Sequence, residues 1–237
     1  MGTGMKRALF IPTALSLIAG VTDVTSWLLL GGFFSAHVTG NLVVIAADVV
    51  TGTAPDIVAQ LAIPVFILTT AVATVIARRI GPQSPNVTTV LFGAQAAFLV
   101  AAGVLSFTTH ASAHPQAGMA IVIGICAVCA MATQNAYLHI VPPRALSTAV
   151  MTGNLVAATV AATDILRTRG EAPDARVKWT VSWPLLAGFI GGCLIGAAGA
   201  NLFSDQAALI PAVLAVLLLS AEVVRRKTRT PVPTAVS

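Results

Sequence analysis

One acid and two copies of a tripeptide hold most of the chemistry in this chain. The tripeptide Thr-Gly-Asn occurs at Thr39–Gly40–Asn41 and again at Thr152–Gly153–Asn154, and each copy is followed by Leu-Val and an Ala/Val-rich stretch. Glycine admits backbone angles that other residues avoid. Asn and Thr offer side-chain groups that can hold exposed backbone at a helix start. Within a bilayer, irregular backbone is tolerated only where protein buries it or where it lines a watery cavity. Two such breaks meeting near the midplane would bring two positively polarised helix starts to one point, which suits an anionic or neutral hydrogen-bonding solute. The same residues also serve close helix packing, with Gly and Thr at the contact and Asn as interhelical glue. Both readings stand at this level.

Asp23 is the single acid deep inside a clear apolar run. A carboxylate near the bilayer centre costs roughly 2.5–3.5 kcal/mol on insertion scales, so it must face the protein interior or carry a proton. The expectation is a proton site, with His37 as a titrating partner. The corresponding place in the second half carries Gln134-Asn135, polar but uncharged. The expected substrate-binding set is therefore Asp23, Thr39, Gly40, Asn41, Gln134, Asn135, Thr152, Gly153 and Asn154. Asp48 lies on the Asn41 face of its segment, and Asp164 near the end of the other; both also fit a water boundary.

These residues need apolar helices to hold them. Hydrophobic residues make up 57 % of the 237-residue chain, charged residues 9 %, and mean hydropathy is +0.90. A soluble domain carries about 25 % charged residues. The chain is thus an all-α integral membrane protein. Six runs approach the ~20 residues that cross a bilayer: 9–30, 57–77, 87–107, 117–140, 183–203 and 207–224. The tripeptides sit in two further apolar segments, 32–50 and 145–166, and a polar loop is expected from Arg167 to Lys178. The Lys6-Arg7 run continues too far for a signal peptide and reads as a retained first helix.

Charge arbitrates between six spans and eight. If the tripeptide segments do not cross, all 13 Lys and Arg residues fall on one side, taken as cytoplasmic. Six spans plus two re-entrant or broken helices is the resulting fold, with eight spans as the alternative. Both termini, Gln83 and Thr168 are then cytoplasmic; Ala54, Ala111 and Asp205 are outside. Three spans per half is an odd number, so repeats over 8–108 and 116–225 would insert with opposite orientation, followed by a basic cytoplasmic tail over 226–237. Pro64 and Pro184 open apolar runs at similar places in the two halves.

The net charge of +5 reflects helix-flanking loops and implies no nucleic-acid partner. Cys126-Ala-Val-Cys129 has redox or metal spacing, but no accompanying His or second Cys pair; with Cys193 these read as small packing residues. No metal, no cofactor and no enzyme chemistry is expected, because no nucleophile–base pair or phosphate-cradling loop is visible. Gly188, Gly192 and Gly196 form a small-residue ridge for close helix packing, and a homo-oligomer through it is one expectation.

Gly20-Val21-Thr22-Asp23, Phe33-Phe34 and His37-Val38-Thr39-Gly40-Asn41 resemble the first signature of the YoaK family of bacterial multi-pass membrane proteins. Gln134-Asn135-Ala136 and Met151-Thr152-Gly153-Asn154 resemble its second. The resemblance spans nearly the whole chain and implies a protein of the bacterial cytoplasmic membrane. It implies no activity, since the family is one of uncharacterised function. From the repeat and the polar residues, the expected function is transport or channelling of a small solute, possible proton coupling running through Asp23. The alternative is a structural or assembly protein whose polar residues serve packing.

Overall fold

The structure is a computed structural model that describes residues 3–142 and 146–228. Arg144, Arg229 and the tail beyond it, and the side chains of Lys6 and Arg7, lie outside the described residues. The regular elements of the described residues are all helices: α1 (Thr3–Leu29), α2 (Gly40–Thr51), α3 (Ile57–Ile80), α4 (Pro85–Thr109), α5 (Gly118–Ile140), α6 (Met151–Arg167), α7 (Pro173–Phe203) and α8 (Leu209–Lys227), with short 3-10 turns at Ala111–Ala113 and Ser204–Ala208.

Local chemistry sets the helix ends. Asp56 caps α3 by accepting from the Ala59 N–H at 3.0 Å. Ser84 caps α4, and Pro85 occupies its first position, where its missing N–H costs nothing. Gly52, at φ 74°, closes α2 in the left-handed region. The polar stretch expected as a loop up to Lys178 is instead largely helix. Pro173 opens α7, and Asp174 in its first turn complements the helix dipole. Pro64 and Pro184 consequently lie inside α3 and α7 rather than at their starts. Arg226 and Lys227, the first residues of the expected tail, lie in the last turn of α8.

Apolar runs long enough to cross a membrane are Leu9–Leu29, α3, α4, α5 and the stretch Pro173–Lys227, which holds both α7 and α8. At 1.5 Å per residue, the 12-residue α2 is roughly 18 Å long, short of a ~30 Å hydrocarbon core. Large apolar side chains such as Leu68, Leu194 and Leu202 point out of the bundle, as lipid-facing residues do.

Helices α1 and α7 pack along much of their length, and α5 packs on α3. Helix α4 lies against both α5 and α8, α2 against α3, and α6 against α7. One apolar core, including Leu15, Ile18, Phe92, Leu99, Met131 and Ala212, joins α1, α4, α5 and α8. Gly188, Gly192 and Gly196 are buried against α1 of the same chain. A Cβ at Gly188 would come 2.7 Å from the Thr13 carbonyl oxygen, and one at Gly192 would strike that of Leu17. Gly20 answers from α1 against the Phe189 carbonyl. The ridge therefore closes an internal contact and is not a face left open for a second copy.

Candidate functional site

The chain between α1 and α2 is irregular from Leu30 to Thr39, and its turn needs the positive φ of Gly31 and Gly32. Backbone groups in such a stretch have no helical partner, so something else must satisfy them. Asp23 does so from the last two turns of α1. It is 4 % exposed, and its Oδ1 accepts from the Ser35 N–H (2.9 Å), the Ala36 N–H (2.6 Å) and the Ser35 hydroxyl (3.2 Å). Its Oδ2 pairs with His37 Nδ1 at 2.5 Å. Asn41 completes the loop. Its Oδ1 accepts from the Phe34 N–H at 2.7 Å, and its Nδ2 donates to the Phe34 carbonyl at 2.8 Å.

Asn135 and Asn154 make similar bonds without the charge. Asn135 Oδ1 accepts from the Ser147 hydroxyl at 2.9 Å, twelve residues on, as Asp23 does from Ser35. Asn154 Nδ2 donates at 3.0 Å to the Ser147 carbonyl, seven residues back, as Asn41 does to Phe34. Neighbouring Gln134 ties α5 to α1 and α4. Its Nε2 donates to the Leu15 carbonyl of α1 (3.0 Å) and to the Thr148 hydroxyl (2.9 Å), while its Oε1 accepts from Gln95 Nε2 on α4 (2.7 Å).

The expected breaks shift as a result. The irregular backbone precedes each tripeptide instead of coinciding with it: Thr39 is the residue before α2, and Thr152-Gly153-Asn154 lies within the first turn of α6. Gly40 and Gly153 stand at ordinary helical angles, and their value is space. A Cβ on Gly40 would come 3.0 Å from the Phe34 ring, and one on Gly153 3.2 Å from Val150. Thr39, Thr152 and Gly153 are exposed and stand outside the polar network. Asn41 and Asn154 each bond within their own half. Leu15 and Asp23, which mark the levels of the two networks on α1, are separated by eight residues, roughly 12 Å of helix.

What does meet is the pair Asp23–His37 and the starts of both short helices. A groove of about 690 Å³ is bordered by Asp23, His37, Gly40 and Met151, with Trp27, Phe34 and Phe189 as aromatic walls. Trp27 stacks on Phe34 at 4.8 Å between ring centroids, and His37 meets Phe189 edge-on at 4.9 Å. Cys193 also borders this groove, whereas Cys129 Sγ sits 3.3 Å from the Thr69 hydroxyl. A second groove, of about 610 Å³ between α1 and α8, has Thr13 as its one hydroxyl among apolar side chains.

Several buried polar groups were not legible as a set. Gln95 lies in an apolar helix, and its isolation there was the available signal. Asp205, expected as an outside loop residue, is buried and accepts from the Ser112 N–H (2.9 Å) and hydroxyl (2.7 Å). Asp56 receives Gln116 Nε2 at 2.7 Å. Buried Glu222 is paired with Arg225 and Arg226 one turn on. Asp48 is half-buried; Asp164 stands 3.9 Å from exposed Arg167, as boundary residues would.

No curated protein and no solved structure matches the chain. A family model described as "Protein of unknown function (DUF1275)" matches residues 11–221. With that match and the paired signatures around Asp23, Asn41, Gln134 and Asn154, the chain belongs to the DUF1275 family, the family of YoaK.

Proposed function

We propose that this membrane protein moves a small solute through a site formed by Asp23 and His37 beside the groove between α1, α7 and the starts of α2 and α6. The observation that carries the reading is the buried carboxylate–imidazole pair itself, set against a groove large enough for a solute. Ionisable side chains are costly inside a membrane, and they mark substrate and ion pathways there. The reading is of a transporter and not of an enzyme.

Six spans, formed by α1, α3, α4, α5, α7 and α8, suit the charge pattern, with α2 and α6 entering without crossing and both termini cytoplasmic. Two inverted repeats would produce the exchange in which α1 packs on α7 while α5 packs on α3. A cytoplasmic-membrane location follows from the family resemblance. The structural or assembly reading draws support from Asn41 and Asn154, whose bonds stay within their own loops.

Flux in reconstituted vesicles, with and without a pH gradient, tests the proposal. Asp23→Asn retains an oxygen for the Ser35 and Ala36 N–H groups, so it should fold while losing any response of flux to the gradient. Unchanged pH-driven flux in that variant would make Asp23 structural.

A further inference from the structure

We propose that the groove beside Asp23 and His37 takes an amphiphilic organic amine, with its ammonium at the Asp–His pair and its hydrocarbon body on Trp27, Phe34 and Phe189. The inference deepens the transport reading of the same site, and binding measured apart from flux separates the two.

Charge comes first. Three donors occupy Asp23 Oδ1, and Oδ2 has only the His37 ring. With Asp23 ionised and His37 neutral, the pair carries one negative charge. No Lys or Arg among the described residues lies within ion-pair distance of it. An anion is repelled from this floor, and a cation is drawn to it, strongly so where water is scarce.

Hydrogen bonding narrows the class. His37 Nδ1 faces Asp23, and His37 Nε2 is buried with no hydrogen-bond partner among the described residues. When Nδ1 donates to the carboxylate, neutral His37 presents Nε2 as an acceptor. A buried acceptor left empty is costly, and an ammonium N–H seated against the ring satisfies it. A quaternary cation brings charge without that donor.

The walls supply the remainder. Trp27, Phe34 and Phe189 offer ring faces to a cation and area to a hydrocarbon. Val24, Leu28 and Ala197 add apolar surface, too poor in polar groups for a sugar. Trp27 and Leu28 are exposed on the outside of the bundle, so the groove opens where lipid lies and a membrane-partitioning ligand can enter sideways. The titratable groups on the surrounding elements are Asp23, His37 and Cys193 at the groove, with Lys6 and Arg7 in the first turns of α1 and Asp48, Asp164, Arg167, Asp174, Arg176 and Lys178 towards the far ends of α2, α6 and α7.

The test uses the full chain in nanodiscs, with empty nanodiscs correcting for partitioning, and isothermal titration with naphthylmethylamine, its trimethylammonium analogue and neutral naphthalenemethanol. The amine should bind about tenfold or more tighter than the alcohol, with the trimethylammonium compound between them. Asp23→Asn should abolish that preference. Ala197→Phe should block binding by filling the groove while leaving the pair untouched. Equal binding of amine and alcohol, or amine binding that survives Ala197→Phe, overturns the proposal. Amine binding without flux upholds the ligand class and defeats the transport reading. Flux of another solute with no amine binding does the reverse.

Discussion

Gln134 hydrogen-bonds α5 to α1 and α4 in the core, and its removal has a calculable cost. Replacing it by leucine conserves volume, so no large cavity opens. Three bonds disappear. The Leu15 carbonyl keeps its partner within α1, so its loss is small. Thr148 retains only a long 3.5 Å contact to Asn135. Gln95 Nε2 is left buried without its acceptor, at about 1–3 kcal/mol for an unsatisfied group. Hydrogen bonds between membrane helices average about 0.6 kcal/mol. Gln134→Leu should therefore cost about 2–4 kcal/mol. Gln95→Leu in the same background removes the orphan, so the double variant should recover part of the loss. Denaturant unfolding in micelles across the four members of the cycle measures the coupling. Strictly additive losses, or a single-variant cost below about 0.5 kcal/mol, would refute the view that this amide pair holds α4 and α5 together.

Two further outcomes follow from packing and topology. Gly192→Val should destabilise by about 1–3 kcal/mol, because its Cβ meets the α1 backbone at Leu17 and Val21, which cannot yield; Gly191→Val, facing open space, should be near neutral in the same denaturant unfolding. Single cysteines at Ala54, Ala113 and Gln206, all exposed, should react with an impermeant reagent from outside in a background lacking Cys126, Cys129 and Cys193, while those at Gln83 and Thr168 stay protected. Reaction at Gln83 with protection at Ala54 would reverse the six-span topology.

The long helices were legible because apolar runs between Pro and Gly punctuation leave few alternatives. The start of α7 was not, since Asp174, Arg176 and Lys178 look like a loop until Pro173 is recognised as a first helical residue. Asp23 stood out by cost alone, and His37 by proximity in sequence. The breaks were misplaced for a physical reason: Gly40 suggested backbone freedom, whereas it supplies room for the Phe34 ring. Ser35 and Ser147, which receive or supply the key bonds, are ordinary residues in composition. Asp205 and Ser112 lie 93 residues apart in the chain, and Gln95 and Gln134 39 apart, so no local pattern could pair them.

The locality of the Asp23 network has a consequence for synthesis. All its described partners lie within 14 residues, so the acid can be covered as soon as the next short stretch follows α1 into the membrane. The permanent neighbour of α1 comes much later: Ser16 donates to the Leu185 carbonyl across 169 residues. At roughly 5–20 residues per second, that neighbour is made about ten to thirty seconds after α1. Throughout that interval α1 waits in lipid with the face that will receive α7 unfilled. The loop that holds Asp23 thus does its first work before the protein is complete, shielding a carboxylate that would otherwise weigh against keeping a solitary helix in the bilayer.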